Sequence, residues 1–273
     1  MVILVQTILT NVGLCSHTII NILPGTYNEQ LLFNAVLGVT DTSTLTFQSS
    51  TGINTDVTIQ YGATSTVDNW VIKLDGADYI SFKNITIKAT GVSYAYGVHL
   101  TNGAEYNLFE GNIIESPVST NGNARPVVLY LGLLNQYNTF KNNTIKNGYY
   151  GIYCYGASTA SLAKGNVFEG NEIIDYYYYG TYFYYQDSLQ FDGNIIDNAS
   201  NSGSAYGFRS YYCDNIHVVG NKINLHCTAT HYGMYIYYSN HQNIHYNIHV
   251  DHHHNIVTLY NLHIPILHKL IMF

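Results

Sequence analysis

The segment Phe109-Glu-Gly-Asn-Ile-Ile114 decides the fold, because close copies of it recur along the chain. Each copy has an Asn three residues after the Phe and an Ile two residues after that Asn. Copies begin at Phe140, Phe168 and Phe191, a variant begins at Val218, and a shortened form begins at Phe82. The successive spacings from Phe82 to Val218 are 27, 31, 28, 23 and 27 residues. A nearly constant period of this size predicts a repeat architecture.

A second motif, a Tyr-Gly pair that opens a short alternating segment, runs in step with the first. It occurs at Tyr96-Gly97, Tyr150-Gly151, Tyr179-Gly180, Tyr206-Gly207 and Tyr232-Gly233. Clusters of Gly, Asn and Ser separate the segments, and no stretch has a useful helical period, so the repeat unit is all-β. Such a period fits one turn of a parallel β-helix, in which three short strands stack on equivalents about 4.8 Å away. We therefore predict an all-β parallel β-helix solenoid of roughly eight coils, each of about 23–31 residues.

Stacking turns each motif position into a column of like side chains. We expect two inward columns to form a continuous apolar core. They are Phe82, Phe109, Phe140, Phe168, Phe191 and Val218, and Ile114, Ile145, Ile173, Ile196 and Ile223. The outward residues after the Phe column, Lys83, Glu110, Lys141, Glu169 and Asp192, predict cross-strand ion pairs on a solvated face.

The Asn column between these two is predicted to form a hydrogen-bonded ladder. Its members are Asn112, Asn143, Asn171, Asn194 and Asn221. Asn tolerates the left-handed backbone of a sharp corner, so we expect these residues to make the corner. This turn chemistry accounts for the column and disfavours the alternative, a polar ligand site.

Composition excludes several classes of protein. Only 10% of the 273 residues are charged, while 28 are Tyr, which disfavours a helical bundle. The net charge of −7 argues against a nucleic-acid partner or an anionic membrane surface. The four Cys residues have no C-x-x-C spacing and are expected to be free, packed thiols. No stretch reaches the roughly 18 apolar residues of a membrane span.

We predict a single β-helix domain over residues 1–273, with its coils in 18–245. Residues 1–16 are a candidate N-terminal cap, because solenoid ends need covering. After residue 245 the repeat dissolves, so 246–273 form either an irregular C-terminal cap or the end of a truncated longer protein. The N-terminus has no positive charge ahead of its apolar residues and so lacks a clear secretory signal.

Together with the segment Ile20-Asn-Ile-Leu-Pro-Gly-Thr-Tyr-Asn-Glu29, these repeats resemble the right-handed parallel β-helix superfamily, which has the pectin-lyase-like fold. More narrowly, the chain resembles the β-helix repeat domains of large secreted or cell-surface bacterial proteins. The resemblance implies such a location and a place within a larger protein. It leaves the activity open, since the scaffold hosts lyases, hydrolases, esterases, phage tailspikes and non-catalytic adhesins. The part of this segment from Pro24 to Glu29 is expected to form a turn between strands Thr18–Ile22 and 31–36.

Alternation in the Tyr-Gly segments places two columns of side chains outward. The first is His99, Tyr130, Tyr153, Tyr182, Arg209 and Tyr235, and the second is Tyr155, Tyr184, Tyr211 and Tyr237. One interpretation is a strip of rings that stacks on the sugars of a polysaccharide or cell-surface glycan. The other is purely structural, with the tyrosines stabilising the stack through cross-strand aromatic pairing.

The sequence contains two further candidate sites, a histidine cluster and a set of acidic residues. The histidines from His241 to His254 have adventitious metal affinity but none of the spacings of a dedicated metal site, so we predict no metal ligands. The lyases of the resembled superfamily use acids that bind calcium together with a basic Arg or Lys, and its hydrolases use a compact set of aspartates. Here Arg209 has Tyr182 and Tyr235 as column neighbours, and only adjacent-coil acids such as Glu169 and Asp192 meet the spacing of a glycosidase pair.

The sequence therefore predicts no catalytic residue and no cofactor. It favours a non-catalytic β-helix module that binds a carbohydrate or partner surface, or that serves as a rigid spacer. The alternative is a polysaccharide lyase or glycoside hydrolase that acts on an acidic polysaccharide, and calcium would accompany a lyase activity.

Overall fold

Short parallel strands dominate the computed structural model, which describes residues 13–130, 132–198, 203–227, 229–251 and 256–272. Side chains are described as far as Val250, apart from that of His249. The described residues contain no helix. Their strands, numbered in chain order, stack into three parallel layers that we call the phenylalanine, isoleucine and tyrosine sheets, and together these form eight coils.

The phenylalanine sheet contains β1 (Thr18–Ile22), β4 (Leu45–Ser49), β7 (Ile80–Lys83), β10 (Leu108–Glu110), β13 (Thr139–Lys141), β17 (Val167–Glu169), β21 (Gln190–Asp192) and β24 (His217–Val219). The isoleucine sheet contains β2 (Gly25–Asn28), β5 (Val57–Tyr61), β8 (Thr86–Ala89), β11 (Ile113–Glu115), β14 (Thr144–Lys146), β18 (Glu172–Ile174), β22 (Ile195–Asp197) and β25 (Lys222–Leu225). The tyrosine sheet contains β3 (Leu31–Asn34), β6 (Ile72–Asp75), β9 (Ala95–Thr101), β12 (Ala124–Leu129), β15 (Tyr150–Tyr155), β19 (Tyr179–Tyr184), β23 (Ala205–Tyr211) and the start of β26 (His231–Asp251). Two short strands, β16 (Ala163–Lys164) and β20 (Gln186–Asp187), pair with each other beside these sheets.

The long strand β26 follows the last coil through all three sheets. It pairs in turn with β23, β24 and β25, and it bends at residues with positive φ, Tyr238, His241 and Tyr246. Strand β27 (Ile256–Met272) then runs back antiparallel to β26. Much of the segment predicted to be an irregular cap is therefore regular strand. The predicted N-terminal cap lies largely outside the described residues.

The interior is built from the two predicted apolar columns. Phe82, Phe109, Phe140 and Phe168 are fully buried, and successive rings stack with centroids 4.8–5.4 Å apart. The Ile column is buried alongside, from Ile114 to Ile223. Three of the four cysteines are buried and free as expected, whereas Cys15 is exposed.

The predicted asparagine ladder is confirmed, but its role at the corner differs from the prediction. The amide of Asn143 donates to Asn171 Oδ1 at 3.0 Å and to the carbonyl of Phe109 at 2.9 Å, and the other members repeat this pattern. The left-handed residue is the one before each ladder Asn, such as Asn142 or Gly170. The ladder side chains therefore tie coils together, while their predecessors make the turn.

A second ladder, which sequence reasoning missed, joins Asn107, Asn138 and Asn166. Asn107 donates its amide to Asn138 Oδ1 at 3.0 Å, and all three side chains are buried. Its sequence signal is an Asn two residues before Phe109, Phe140 and Phe168.

The glycine of the Tyr-Gly motif is explained by steric crowding between adjacent coils. A Cβ on Gly180 would lie 2.8 Å from both the Gly207 carbonyl oxygen and Ile196 Cγ2, so only glycine lets the coils approach this closely. Gly151 and Gly207 are confined in the same way.

The outward ion pairs were correctly predicted. Lys83 lies 2.9 Å from Glu110, and Lys141 lies 3.1 Å from Glu169. The turn predicted over residues 24–29 is wrong beyond Pro24, because Gly25–Asn28 forms a strand that pairs with Val57–Gln60. The hydrogen bonds and side-chain packing that the neighbouring strand offers outweigh the local turn preference.

Candidate functional site

The outward side of the tyrosine sheet carries three columns of side chains, which we call the tyrosine face. Successive members lie on successive coils, so each column runs along the axis of the solenoid. The first column is Tyr96, Arg125, Tyr150, Tyr179, Tyr206 and Tyr232; the second is Lys73, His99, Val128, Tyr153, Tyr182, Arg209 and Tyr235; the third is Tyr130, Tyr155, Tyr184, Tyr211 and Tyr237.

The rings of the third column form the most regular ladder of this face. Tyr155 and Tyr184 stack with centroids 4.8 Å apart and planes 7° from parallel. Tyr184 and Tyr211 stack at 5.2 Å and 8°, and Tyr237 continues the column at 5.2 Å with a tilt of 51°. In the second column, Tyr153 and Tyr182 stack at 5.3 Å and 5°.

This stacking decides which part of each ring can meet a ligand. A ring inside a ladder has both faces covered by its neighbours, so only its edge and its hydroxyl end face outward. Tyr184 is covered in this way by Tyr155 and Tyr211, so a sugar cannot lie flat on its ring. A ligand would instead meet rows of phenol hydroxyls, which donate and accept hydrogen bonds.

Arg209 replaces a ring in the second column. Its guanidinium carbon lies 4.6–4.9 Å from the ring centroids of Tyr179, Tyr182, Tyr206 and Tyr211, and Nη2 donates to the Tyr211 hydroxyl at 2.7 Å. Its buried Nε has no hydrogen-bond partner among the described residues. The cation is held by aromatic rings.

Arg125 has the same surroundings further along the face. Its guanidinium carbon lies 3.9 Å from the Tyr153 ring centroid and 4.9 Å from that of Tyr150. Within the described ranges, neither this arginine nor Arg209 has a carboxylate oxygen within 4.0 Å. Two arginines without an acidic partner therefore lie on a face of an otherwise acidic protein.

Nine of the ten predicted ligand-binding residues lie partly exposed on this face, but two positions need correction. Tyr130 belongs to the third column, beside Tyr155, and Val128 occupies the second column between His99 and Tyr153. This coil has Arg125-Pro126 where others have Tyr-Gly, so its register has no marker in the local sequence. Leu131, which strict alternation from an outward Tyr130 would place inward, lies outside the described residues.

The second correction concerns His99, which is 8% exposed and does not project from the face. Tyr96 packs edge-on against its ring at 5.6 Å, and Nε2 lies 3.2 Å from the Tyr130 carbonyl oxygen. Burial lowers the pKa of His99 from 6.5 to about 4. The side chain is therefore a neutral part of the packing at neutral pH.

We expect His99 to make the fold sensitive to acid. The unfolded chain takes up a proton near pH 6.5 and the folded chain only near pH 4, so its contribution to stability is complete above pH 6.5 and is lost as the pH falls toward 4. The loss should approach about 3 kcal/mol. Urea unfolding across this pH range will measure it. His99→Val, which copies Val128 on the next coil, should flatten the dependence, and an unchanged slope would contradict the assignment.

The sequence prediction did not include the residues of the first column, Arg125 among them, in the candidate site. Strict alternation from the buried Ile152 places Tyr150 inward, yet both Gly151 and Ile152 are buried and Tyr150 lies outside, partly exposed. Because Gly151 has no side chain, it and Ile152 both lie on the buried side of the strand. The inward–outward alternation of side chains is interrupted at this point. The signal was present in the Tyr-Gly motif, whose tyrosines occupy this column.

Several tyrosine hydroxyls of this face stay protonated well into the alkaline range. Burial raises the pKa of Tyr153, Tyr179 and Tyr184 above the ordinary value of 10.0, and that of Tyr235 to about 12. The face therefore presents neutral donors beside the two arginines.

Comparison with known proteins places this geometry in a family. A family model described as a right-handed beta helix region matches residues 70–251, which is more than half of the chain. The chain belongs to the right-handed β-helix family. Among proteins with curated descriptions, none matches the sequence.

Solved structures with a similar fold include pectin methylesterases. The enzyme from Aspergillus niger superposes with a TM-score of 0.52 at 17% identity, covering 88% of this chain and 79% of that one. PemA from Erwinia chrysanthemi superposes with a TM-score of 0.50 at 11% identity, covering 90% and 77%. At such identities the likeness shows the shared β-helix fold.

The acids of this β-helix chain that were candidates for catalysis make structural contacts. Glu169 pairs with Lys141, while Asp192 accepts a hydrogen bond from the Val219 amide and lies 2.9 Å from His217 Nδ1. They belong to the phenylalanine sheet, away from the tyrosine face.

The histidine cluster lies in the last coil of the β-helix and partly beyond the described residues. His241 Nδ1 lies 2.9 Å from Asp214 Oδ1. The described part of the chain holds no group of three or more metal-binding side chains. His252, His253 and His254 lie outside the described residues, as do the side chains of His249 and Asp251. Nor do the described residues include a helix long and apolar enough to cross a membrane.

Proposed function

We propose that this chain is a non-catalytic β-helix module of a secreted or cell-surface protein, and that it binds a polysaccharide along the tyrosine face. The observation that carries the proposal is the row of stacked tyrosines with two arginines that lack carboxylate partners. A polysaccharide presents many hydroxyls along a line, and the face presents hydrogen-bond donors and acceptors along a line.

Two cavities, one beside the third column and one on the adjacent corner, extend the surface available to a ligand. One of about 260 Å³ lies beside Tyr130 and Tyr155 and is lined also by residues 132–134. Another of about 290 Å³ lies beside Tyr212 and Tyr238 on the adjacent corner. Ligand sites are typically concave, with a few polar groups that fix orientation.

The likeness to pectin methylesterases supports a carbohydrate ligand, because those proteins are named for a polysaccharide substrate. It also keeps a polysaccharide lyase or hydrolase as the second candidate. That candidate predicts product release from an acidic polysaccharide, with or without calcium. The structural contacts of Glu169 and Asp192 favour the binding module.

A glycan array followed by calorimetry tests the proposal. Replacing Tyr155 and Tyr184 by Phe removes two hydroxyls but keeps the stacked rings. Each lost hydrogen bond is worth about 0.5–1.5 kcal/mol, so we expect affinity to fall about tenfold.

Tyr106→Phe is the matched control. Tyr106 also stacks between two tyrosines, at 5.0 Å from each, but it lies on a different corner of the coil and is 44% exposed. Its replacement should leave glycan affinity unchanged. If no glycan on the array binds, or if Tyr106→Phe weakens binding as much as the double variant, the tyrosine face is not the binding site.

A further inference from the structure

We propose that the ligand is an extended, ribbon-like polysaccharide with equatorial 1,4 linkages, lying parallel to the solenoid axis with one sugar per coil. The inference rests on the proposed function and specifies the shape of its ligand. It follows from the spacing of the hydroxyls and from the covering of the ring faces.

The spacing is set by the backbone and is nearly constant. From Tyr155 to Tyr184 to Tyr211 the centroids advance by 4.8 and 5.2 Å, and the first column advances by 4.9 Å between Tyr150 and Tyr179. These values match the distance of about 4.8 Å between strands in a sheet. The hydroxyls of a column therefore repeat once per coil.

Because the ring faces are covered, a ligand is recognised through the spacing of the hydroxyls along the column. A sugar that stacks on an open ring tolerates sliding, because the contact has little directionality. A sugar that meets ring edges relies on hydrogen bonds, which weaken steeply when their angle departs from linear. A chain then offers a hydrogen-bonding sugar edge to every coil in register only if its rise per sugar equals the rise per coil.

Equatorial bonds at both ends of each sugar produce a nearly straight chain whose rise per sugar is close to the strand spacing. Successive sugars of this straight chain are flipped over, so each of them still presents one hydroxyl-bearing edge to the row. An axial bond shortens the rise per sugar, so its hydroxyls fall out of step with the coils. The straight chain can contact several coils at once, and the gain accumulates with length. Favourable contacts on adjacent coils then act on one ligand without further loss of translational freedom.

The arginines fit the same geometry. Arg125 and Arg209 lie on tyrosine rings and present planar sets of donors, which suit pairs of oxygens on one sugar edge. Neutral and carboxylated ribbons share the shape that the face selects, so charge is a separate variable in the experiment.

Calorimetry with matched hexasaccharides tests the inference. Cellohexaose and maltohexaose contain the same sugar and differ only in linkage, while β-1,4-hexamannuronate and α-1,4-hexagalacturonate provide the charged counterparts. We expect at least one of the two ribbons to bind ten or more times more tightly than its axially linked counterpart. We also expect affinity to rise from dimer to about tetramer, since four ladder tyrosines, Tyr155 to Tyr237, offer one contact per coil.

The outcomes separate the two proposals. Equal binding within both pairs, or preference for maltohexaose or hexagalacturonate, overturns the ribbon inference and leaves the proposed glycan-binding function standing. An affinity that does not change between dimer and hexamer also overturns it. If none of the four oligosaccharides binds and the wider array is negative, both proposals fail. Loss of the linkage preference in the Tyr155→Phe, Tyr184→Phe variant, with retention in Tyr106→Phe, locates the selectivity on the third column.

Discussion

Asn194→Ala is expected to lower the free energy of unfolding by about 3 kcal/mol. Asn194 is fully buried, and its amide donates to the Phe168 carbonyl at 2.9 Å and to Asn221 Oδ1 at 3.1 Å. Its Oδ1 accepts the backbone N–H of Asn171 at 2.8 Å. Alanine leaves this N–H and the Phe168 carbonyl without their amide partner, and each buried unsatisfied group costs about 1–3 kcal/mol.

Urea unfolding followed by circular dichroism measures the effect, and Asn142→Gly is its control. Asn142 is exposed and has a φ of 53°, a conformation that glycine supplies on the neighbouring coils at Gly111 and Gly170. This control should leave stability unchanged or raise it slightly. A loss under about 1 kcal/mol for Asn194→Ala would show that water or relaxation replaces the ladder bonds.

Phe140→Ala should lower the free energy of unfolding by about 3–5 kcal/mol. The ring is fully buried and stacks on Phe109 at 4.8 Å and on Phe168 at 5.2 Å. Its removal opens a cavity in the middle of a ladder, where coils on both sides hold the walls apart. The coils cannot collapse into the gap without breaking their strand hydrogen bonds.

Phe140→Leu distinguishes the cost of opening a cavity from the cost of losing the aromatic ring. Leucine keeps much of the volume, and the column already accepts Val218 at its end. We expect a loss of less than about 1.5 kcal/mol for a nearly volume-conserving change. If Phe140→Ala and Phe140→Leu destabilise equally, stacking of the aromatic rings is the dominant contribution and filling of the core is not.

Much of the candidate site followed from alternation within single strands. The column from Tyr155 to Tyr237 was predicted from sequence and lies in register in the structure. The position of Tyr130 was missed because register between coils depends on which residues pair across them. Where Pro126 replaces the usual glycine, the sequence alone does not reveal that pairing.

The sequence by itself determined the solenoid, its apolar columns and its asparagine ladder, because a repeat that stacks on itself places each residue beside its own copy. Only the tertiary structure decided that His99 is buried, that Arg125 joins the tyrosine face, and that the ring faces are covered. Each of these depends on side chains from two or three coils meeting at one point. Such meetings are set by the lengths and turns of the intervening loops, which vary from coil to coil, and local alternation carries no record of them.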